Sequence, residues 1–260
     1  MTVFEALRAI DPREARILLA AATGLSQASL VAFPERELSR ECEERFSGFV
    51  SRRKSGEPIA YILGRKAFYG LELEVTPDVL IPRPETELLV ELALERRFGS
   101  AVDLGTGSGA IALAIKKHRP EATVVAVDTS AASLAIAKRN AGTLGLEIDF
   151  REGRWFGPLA GERFDLVVAN PPYVAVGDPH LAALAFEPAQ ALVSGPEGLD
   201  DLRRLAAAAP AYLKGGGWLL LEHGFDQASA VRELLARAGL EEVATWPDLS
   251  GIPRVTGGRR

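Results

Sequence analysis

Apolar positions recur at helical spacing over the first 65 residues. Leu38, Cys42, Phe46, Phe49 and Val50 share one face of a helix expected from about Glu35 to Arg53. Asp11-Pro12-Arg13-Glu14 marks an earlier helix start: Asp as N-cap, Pro in the first helical position, Glu at the third. Gly24 is its expected stop. Gly56 and Pro58 end the longer helix, and a solvated helix end accounts for Arg52, Arg53 and Lys54 near its negative pole. The period then changes. Leu71, Leu73 and Val75 alternate with Glu72 and Glu74, as in a half-buried strand of a hairpin.

From about Pro84 strands and helices alternate. Strands are expected at 101–104, 123–127, 147–150, 164–169, 217–222 and 241–245. Helices are expected at 111–117, 130–141 with Ser130 as N-cap, 199–213 and 227–238. Such alternation implies an α/β fold with a parallel, doubly wound sheet covered by helices on both faces. Three segments follow: helical residues 1–65, a hairpin linker at 66–83, and an α/β domain at 84–260.

The 260 residues are 47% hydrophobic and 25% charged, an ordinary globular balance. The net charge of −5 argues against broad nonspecific binding of nucleic acid, although a local basic patch can hide in an acidic total. Cys42 is the single cysteine, so no internal disulfide forms, and its helical spacing makes it an expected core residue. The N-terminus has early acids and no long apolar run, so a soluble, cytoplasmic chain without membrane contact is expected. His118, His180 and His223 are too scattered for a metal site.

Asp103-Leu104-Gly105-Thr106-Gly107-Ser108-Gly109 joins the first strand of the α/β domain to a helix. Glycines there let the backbone turn sharply and approach a ligand. Asp128 ends the next strand, where a carboxylate can accept hydrogen bonds from two ribose hydroxyls. Gly105, Gly107 and Ala110 also satisfy a dinucleotide fingerprint, so this loop alone leaves NAD and S-adenosylmethionine both open.

A second loop narrows the chemistry. The apolar strand 164–169 runs into Asn170-Pro171-Pro172-Tyr173, whose paired prolines stiffen the backbone. An amide or aromatic amine nitrogen is a poor nucleophile because its lone pair is delocalised. Two acceptors holding its hydrogens would aim the lone pair at a methyl donor. The Asn170 side-chain carbonyl and the Pro171 backbone carbonyl can serve, with Tyr173 offering an aromatic face to a planar group. This pattern does not separate adenine from glutamine. Trp155-Phe156 reads as core, Glu222-His223 as either a brace for the site or plain structure, and Arg83, Glu85 and Thr86 as a helix start with Thr86 or a neighbour capping.

Taken with Gly56-Glu57-Pro58, Ala60 to Gly64, Phe68, Gly70, Leu80 to Glu87, Glu187-Pro188, Glu222-His223-Gly224 and Asp248 to Arg254, these motifs closely resemble the HemK/PrmC family. Its members are protein-(glutamine-N5) methyltransferases that modify peptide chain release factors. The resemblance covers nearly the whole chain. It implies a class I S-adenosylmethionine-dependent methyltransferase with a Rossmann-like seven-stranded sheet, and a small helical N-terminal domain that docks the substrate. The cofactor would lie on Gly105, Thr106, Gly107, Ser108, Gly109 and Asp128, beside Trp155, with Asn170 touching cofactor and substrate and with Arg83, Glu85 and Thr86 near the methyl-transfer pocket. The acceptor would be the glutamine of the release factor's Gly-Gly-Gln motif, met by a monomer without direct nucleic-acid contact. The other reading of the tetrapeptide is a nucleic-acid adenine-N6 methyltransferase; the glycine loop and Asp128 alone would suit a noncatalytic NAD-binding module.

Overall fold

Five helices build residues Met1–Arg65, one of two units into which the computed structural model of residues 1–260 divides. They are α1 (Val3–Ala6), α2 (Pro12–Thr23), α3 (Gln27–Ala32), α4 (Arg40–Lys54) and α5 (Ile59–Leu63). Asp11 caps α2 by accepting from the backbone N–H groups of Arg13 and Glu14, and Gly24 ends it in the left-handed conformation. Leu18, Leu19, Leu30, Phe46 and Val50 form the core of this unit.

Helix α4 starts at Arg40 rather than near Glu35. Ser39 is its N-cap, and the preceding residues pair with the chain's beginning: Thr2 bridges Glu37, and Val3 N donates to Arg36 O at 2.9 Å. Cys42 is half-buried and stays outside the core, since the first turn of α4 is more exposed than its later turns. The basic helix end is held within the unit, with Arg52 forked onto Glu57 and Arg53 onto Glu14.

The second unit, Lys66–Arg260, takes in the hairpin of β1 (Arg65–Phe68) and β2 (Leu71–Glu74). It continues through α6 (Glu87–Glu95), β3 (Ser100–Leu104), α7 (Ala110–His118), β4 (Thr123–Asp128), α8 (Ala131–Leu144) and β5 (Asp149–Glu152). There follow β6 (Phe164–Ala169), α9 (Asp200–Tyr212), β7 (Leu213–Glu222), α10 (Ala228–Arg237), β8 (Glu241–Pro247) and β9 (Pro253–Arg259). The hairpin is more than a connection. Phe68, Leu71 and Leu73 are buried in this unit's core. Asn140 on α8 accepts from Glu74 N at 2.7 Å and donates to Glu74 O at 3.1 Å, while Arg139 forks onto the Glu74 carboxylate.

The seven strands run in the order β5-β4-β3-β6-β7-β9-β8. From β5 to β7 they are parallel; β9 lies antiparallel to both β7 and β8. The sheet is parallel, as the alternation implies, except for β9, which is inserted between β7 and β8. Gly257 and Gly258 sit inside β9 and dilute the β-branched composition that would announce a strand.

Side-chain alternation divides the core into two layers. Val124, Leu166, Val168 and Leu220 face α6 and α7, while Val125, Val167, Leu219 and Leu221 face α9 and α10. Strands buried on both faces read as unbroken apolar runs. From β3 the chain winds outward through β4 and β5, then returns to β6 on the other side. The sheet's switch point therefore lies between the carboxyl ends of β3 and β6, where open α/β sheets bind ligands.

Candidate active site

A cavity of about 490 Å³ opens at that switch point. Gly105 and Gly107 from the β3 loop, Asp128 from the end of β4, and Asn170 and Pro172 after β6 all border it. The β3 loop is tied to the neighbouring strand, since Gly105 N and Thr106 N both donate to Val127 O, at 2.8 and 3.0 Å. Asp128 holds the loop from the other side, accepting from Gly107 N at 2.8 Å and from Ser130 N at 2.9 Å. Burial pushes the Asp128 carboxyl up, against backbone bonds that pull it down. Thr129 N–H also donates to it, and the carboxylate keeps acceptor capacity beyond these bonds for a ribose hydroxyl.

Only part of the expected glycine-loop set reaches the cavity. Thr106 is buried beneath the loop, where its hydroxyl donates to Asp103 Oδ2 at 2.6 Å. Ser108 is buried too, and its carbonyl accepts from Asn140. Gly109 is buried at the head of α7. Gly105 and Gly107 therefore border the cavity, while the buried Thr106, Ser108 and Gly109 support them. Asp103 is fully buried with Oδ1 unpartnered, and burial pushes its carboxyl up to about 7.

Trp155 and Phe156, which read together as core, separate. Phe156 is buried and stacks on Tyr212 with centroids 4.4 Å apart. Trp155 lines the cavity and sits at a φ of 51°, a strained value for a bulky side chain. A Cβ at position 105 would lie 3.1 Å from its ring, so the loop and the indole approach at a spacing suited to glycine. Asp201, at the start of α9, accepts from the Trp155 indole N–H at 3.2 Å, from Arg154 at 2.9 Å and from Ser194 Oγ at 2.8 Å. Asp201 also lines the cavity, as do Asp78 to Leu80, Pro188 and Gln190. None of these was singled out individually for the cofactor site. An acid in the first turn of a helix is the one sequence signal for Asp201.

The tetrapeptide divides as well. Asn170 and Pro172 border the cavity; Pro171 is buried, and Tyr173 does not line it. The Tyr173 hydroxyl instead donates to Glu222 Oε1 at 3.5 Å, and its carbonyl accepts from Gln227 at 3.0 Å. The Tyr173 ring is half-buried and packs against the core layer of α9 and α10. Burial, then the nearby Glu222 charge, raises the Tyr173 hydroxyl above its ordinary range. Asn170 Nδ2 donates to Thr86 Oγ1 at 3.2 Å. Glu222 is fully buried, and its carboxyl is pushed up to about 7. His223 turns away, with Nε2 2.8 Å from Thr256 on β9, so of this pair Glu222 alone reaches towards the site. Arg83 pairs with Glu187, which also accepts from Ile81 N at 3.1 Å, joining segments distant in sequence beside the cavity.

A sheet in which one antiparallel strand is inserted between the last two parallel ones is the architecture of class I S-adenosylmethionine-dependent methyltransferases, and this chain is one of them. The glycine approach to Trp155 and the lone pairs of Asp128 fit that cofactor's nucleoside. Residues 84–195 match the methyltransferase small domain, and residues 4–64 match the PrmC N-terminal domain. The release factor glutamine methyltransferase of Xylella fastidiosa is 52% identical over 257 residues, covering 96% of this chain and 94% of the relative. That of Pseudomonas aeruginosa is 50% identical, covering 95% and 91%. A solved methyltransferase from Pyrococcus furiosus, 19% identical, superimposes with a TM-score of 0.59 over 82% of this chain and 98% of its own, a likeness of fold. The chain belongs to the release factor glutamine methyltransferase family. No helix is long and apolar enough to cross a membrane.

Proposed function

We propose that this enzyme methylates the side-chain amide nitrogen of the glutamine in the Gly-Gly-Gln motif of peptide chain release factors. The observation that carries the reading is Asn170 bordering the same cavity as Gly105, Gly107 and Asp128. Gly105, Gly107 and Trp155 would flank the nucleoside of S-adenosylmethionine, and Asp128 would accept from its ribose hydroxyls. When bound, the cofactor supplies an electrophilic methyl group on a sulfonium.

Asn170 Oδ1 and the Pro171 carbonyl accept the two hydrogens of the glutamine amide. Holding both favours a pyramidal nitrogen and directs its lone pair towards the methyl donor. As the new N–C bond forms the nitrogen becomes acidic, and the proton it sheds to solvent is already hydrogen-bonded to one of these two carbonyl oxygens. No strong base is required beforehand. Orientation of the reacting pair supplies most of the rate.

Residues 1–65 serve as the docking domain for the release factor. Exposed Phe4, Val31 and Phe33 give that unit apolar surface for a protein partner. The enzyme works as a cytoplasmic monomer and does not contact nucleic acid directly. The test incubates the enzyme and labelled methyl donor with a release factor and with its Gln→Ala variant in the Gly-Gly-Gln motif. Label appears on the first alone, survives nuclease treatment and maps to the glutamine by mass spectrometry. Equal labelling of both proteins rejects the assignment.

A further inference from the structure

Thr86 occupies the N-cap position of α6, yet its side chain makes no capping bond. The helix start therefore does not explain the hydroxyl. Thr86 is 4% exposed, and Asn170 Nδ2 donates to its Oγ1. The Thr86 hydroxyl also faces the buried Glu222 carboxyl closely enough to oppose the rise that burial gives it. Glu222 is 1% exposed and keeps Oε2 without a close partner, so it is a buried acceptor that attracts a donor. These residues come from three adjacent places: the turn before α6, the end of β6 and the end of β7. The β6–β7 register, which pairs Ala169 with Leu221, brings Asn170 beside Glu222.

We propose that Thr86 is a positioning residue that fixes which end of the Asn170 amide faces the methyl acceptor. This rests on the reading that Asn170 Oδ1 accepts a hydrogen of the glutamine amide. A hydroxyl has one proton to give and lone pairs to receive. With its proton directed at Glu222, Thr86 Oγ1 is an acceptor towards Asn170. Only Nδ2 can satisfy it, so Oδ1 is turned the other way. Without the hydroxyl the amide can rotate by half a turn and present N–H groups to the N–H groups of its substrate. The face would then repel the nitrogen it has to hold. Thr86 touches neither substrate nor cofactor in this scheme and acts through Asn170.

The test compares full-length Thr86→Val, which keeps the shape and loses the hydroxyl, with Thr86→Ser, which keeps the hydroxyl. Turnover on a release factor, S-adenosylmethionine affinity by calorimetry and Tm are measured for each, with Asn170→Ala alongside. Thr86→Val lowers kcat by about tenfold or more, the scale of one polar contact, and leaves cofactor affinity within about twofold. Thr86→Ser stays within about threefold of the parent kcat, because the hydroxyl is retained. An unchanged kcat in Thr86→Val, or a loss in Thr86→Ser as large as in Thr86→Val, overturns the proposal. Should valine not be accommodated, Thr86→Ala poses the same question. An active Asn170→Ala enzyme rejects the role of Asn170 itself; an inactive one beside a fully active Thr86→Val rejects only the role of Thr86.

Discussion

The indole N–H of Trp155 is anchored on Asp201 across 46 positions of sequence, while the Trp155 backbone holds a left-handed φ of 51°. A strained backbone at a bulky residue persists only when its surroundings over-determine it. Asp201 provides that restraint. Burial alone would raise its carboxyl, but donors from Ser194, Arg154, Arg204 and Trp155 outweigh burial and leave it below its ordinary range. It is therefore an ionised acceptor at neutral pH, and hydrogen bonds to a charged acceptor are the stronger kind.

Removing that acceptor should act on the cofactor. Asp201→Ala is expected to weaken S-adenosylmethionine binding by about tenfold, while kcat at saturating cofactor changes less. Titration calorimetry reads the first quantity and steady-state turnover the second. Asp201→Asn, which keeps one carbonyl acceptor for the indole, should fall between the parent and Asp201→Ala. An unaltered affinity in Asp201→Ala would mean that Trp155 needs no anchor to do its work.

Gly105 tests the opposite wall of the same contact. Its φ is 79°, and an added Cβ would stand 3.1 Å from the Trp155 ring. An alanine there carries a left-handed backbone penalty of roughly 1–2 kcal/mol as well as the steric pressure on the indole. Gly105→Ala should lower both Tm and cofactor affinity. Gly70, also left-handed with a φ of 72° but with nothing within 4 Å of an added Cβ, is the control for backbone strain alone. Gly70→Ala should lower Tm and leave cofactor affinity unchanged; equal affinity losses in the two variants would detach the effect from Trp155.

In the proposed reaction Asn170 holds the methyl acceptor. Asn170→Ala removes an acceptor whose value lies in the transition state, where loss of one positioned polar group commonly costs on the order of 100-fold in kcat. The side chain is half-buried and hydrogen-bonds Thr86, so Tm should move by only a few degrees. Cofactor affinity, turnover and thermal unfolding measured on one preparation separate a chemical defect from a folding defect. A variant with full turnover would exclude Asn170 from the reaction.

Much of this was legible in the sequence because the central strands are buried on both faces. Runs such as Phe164 to Ala169 stand out whatever their neighbours are, and the residue following each run falls at the ligand edge. Asp128 and Asn170 are found that way. The alternation of Leu71, Leu73 and Val75 revealed a buried face but not the surface it meets, so the hairpin's place in the larger unit's core was hidden. Strand β9 was missed because glycines occupy its interior. The side-chain contacts of Thr86 and Asp201 were hidden for another reason. Their partners lie 84 and 46 positions away, and no local pattern encodes a side-chain hydrogen bond at that separation. The contact of the Tyr173 hydroxyl with Glu222 belongs to the same class, since it joins the ends of two neighbouring strands.

The two carboxyls pushed up to about 7, Asp103 and Glu222, give the fold an unusual response to pH. Burial is the largest cause for both. For Asp103 the donors Thr106 and Ala112 oppose it and the Asp128 charge reinforces it; for Glu222, Thr86, Arg254 and Tyr173 oppose it and Glu85 reinforces it. A raised folded-state pKa means that the native protein binds the proton more tightly than the unfolded chain does. Stability from these groups is then fully present below the ordinary carboxyl range and is lost as pH rises from about 4 towards 7, by at most about 1.4 kcal/mol per pH unit for each group. Above about 7 both states are ionised and the loss levels off. Asp103→Asn should remove one share of this slope, since an amide carbonyl can still accept from Thr106 and Ala112 and bears no charge to desolvate. Urea unfolding of parent and variant at pH 5, 6, 7 and 8 measures it. The variant should gain on the parent steadily between pH 5 and 7 and hold a constant advantage from 7 to 8; parallel curves throughout would show that Asp103 is ionised in the native protein well below 7.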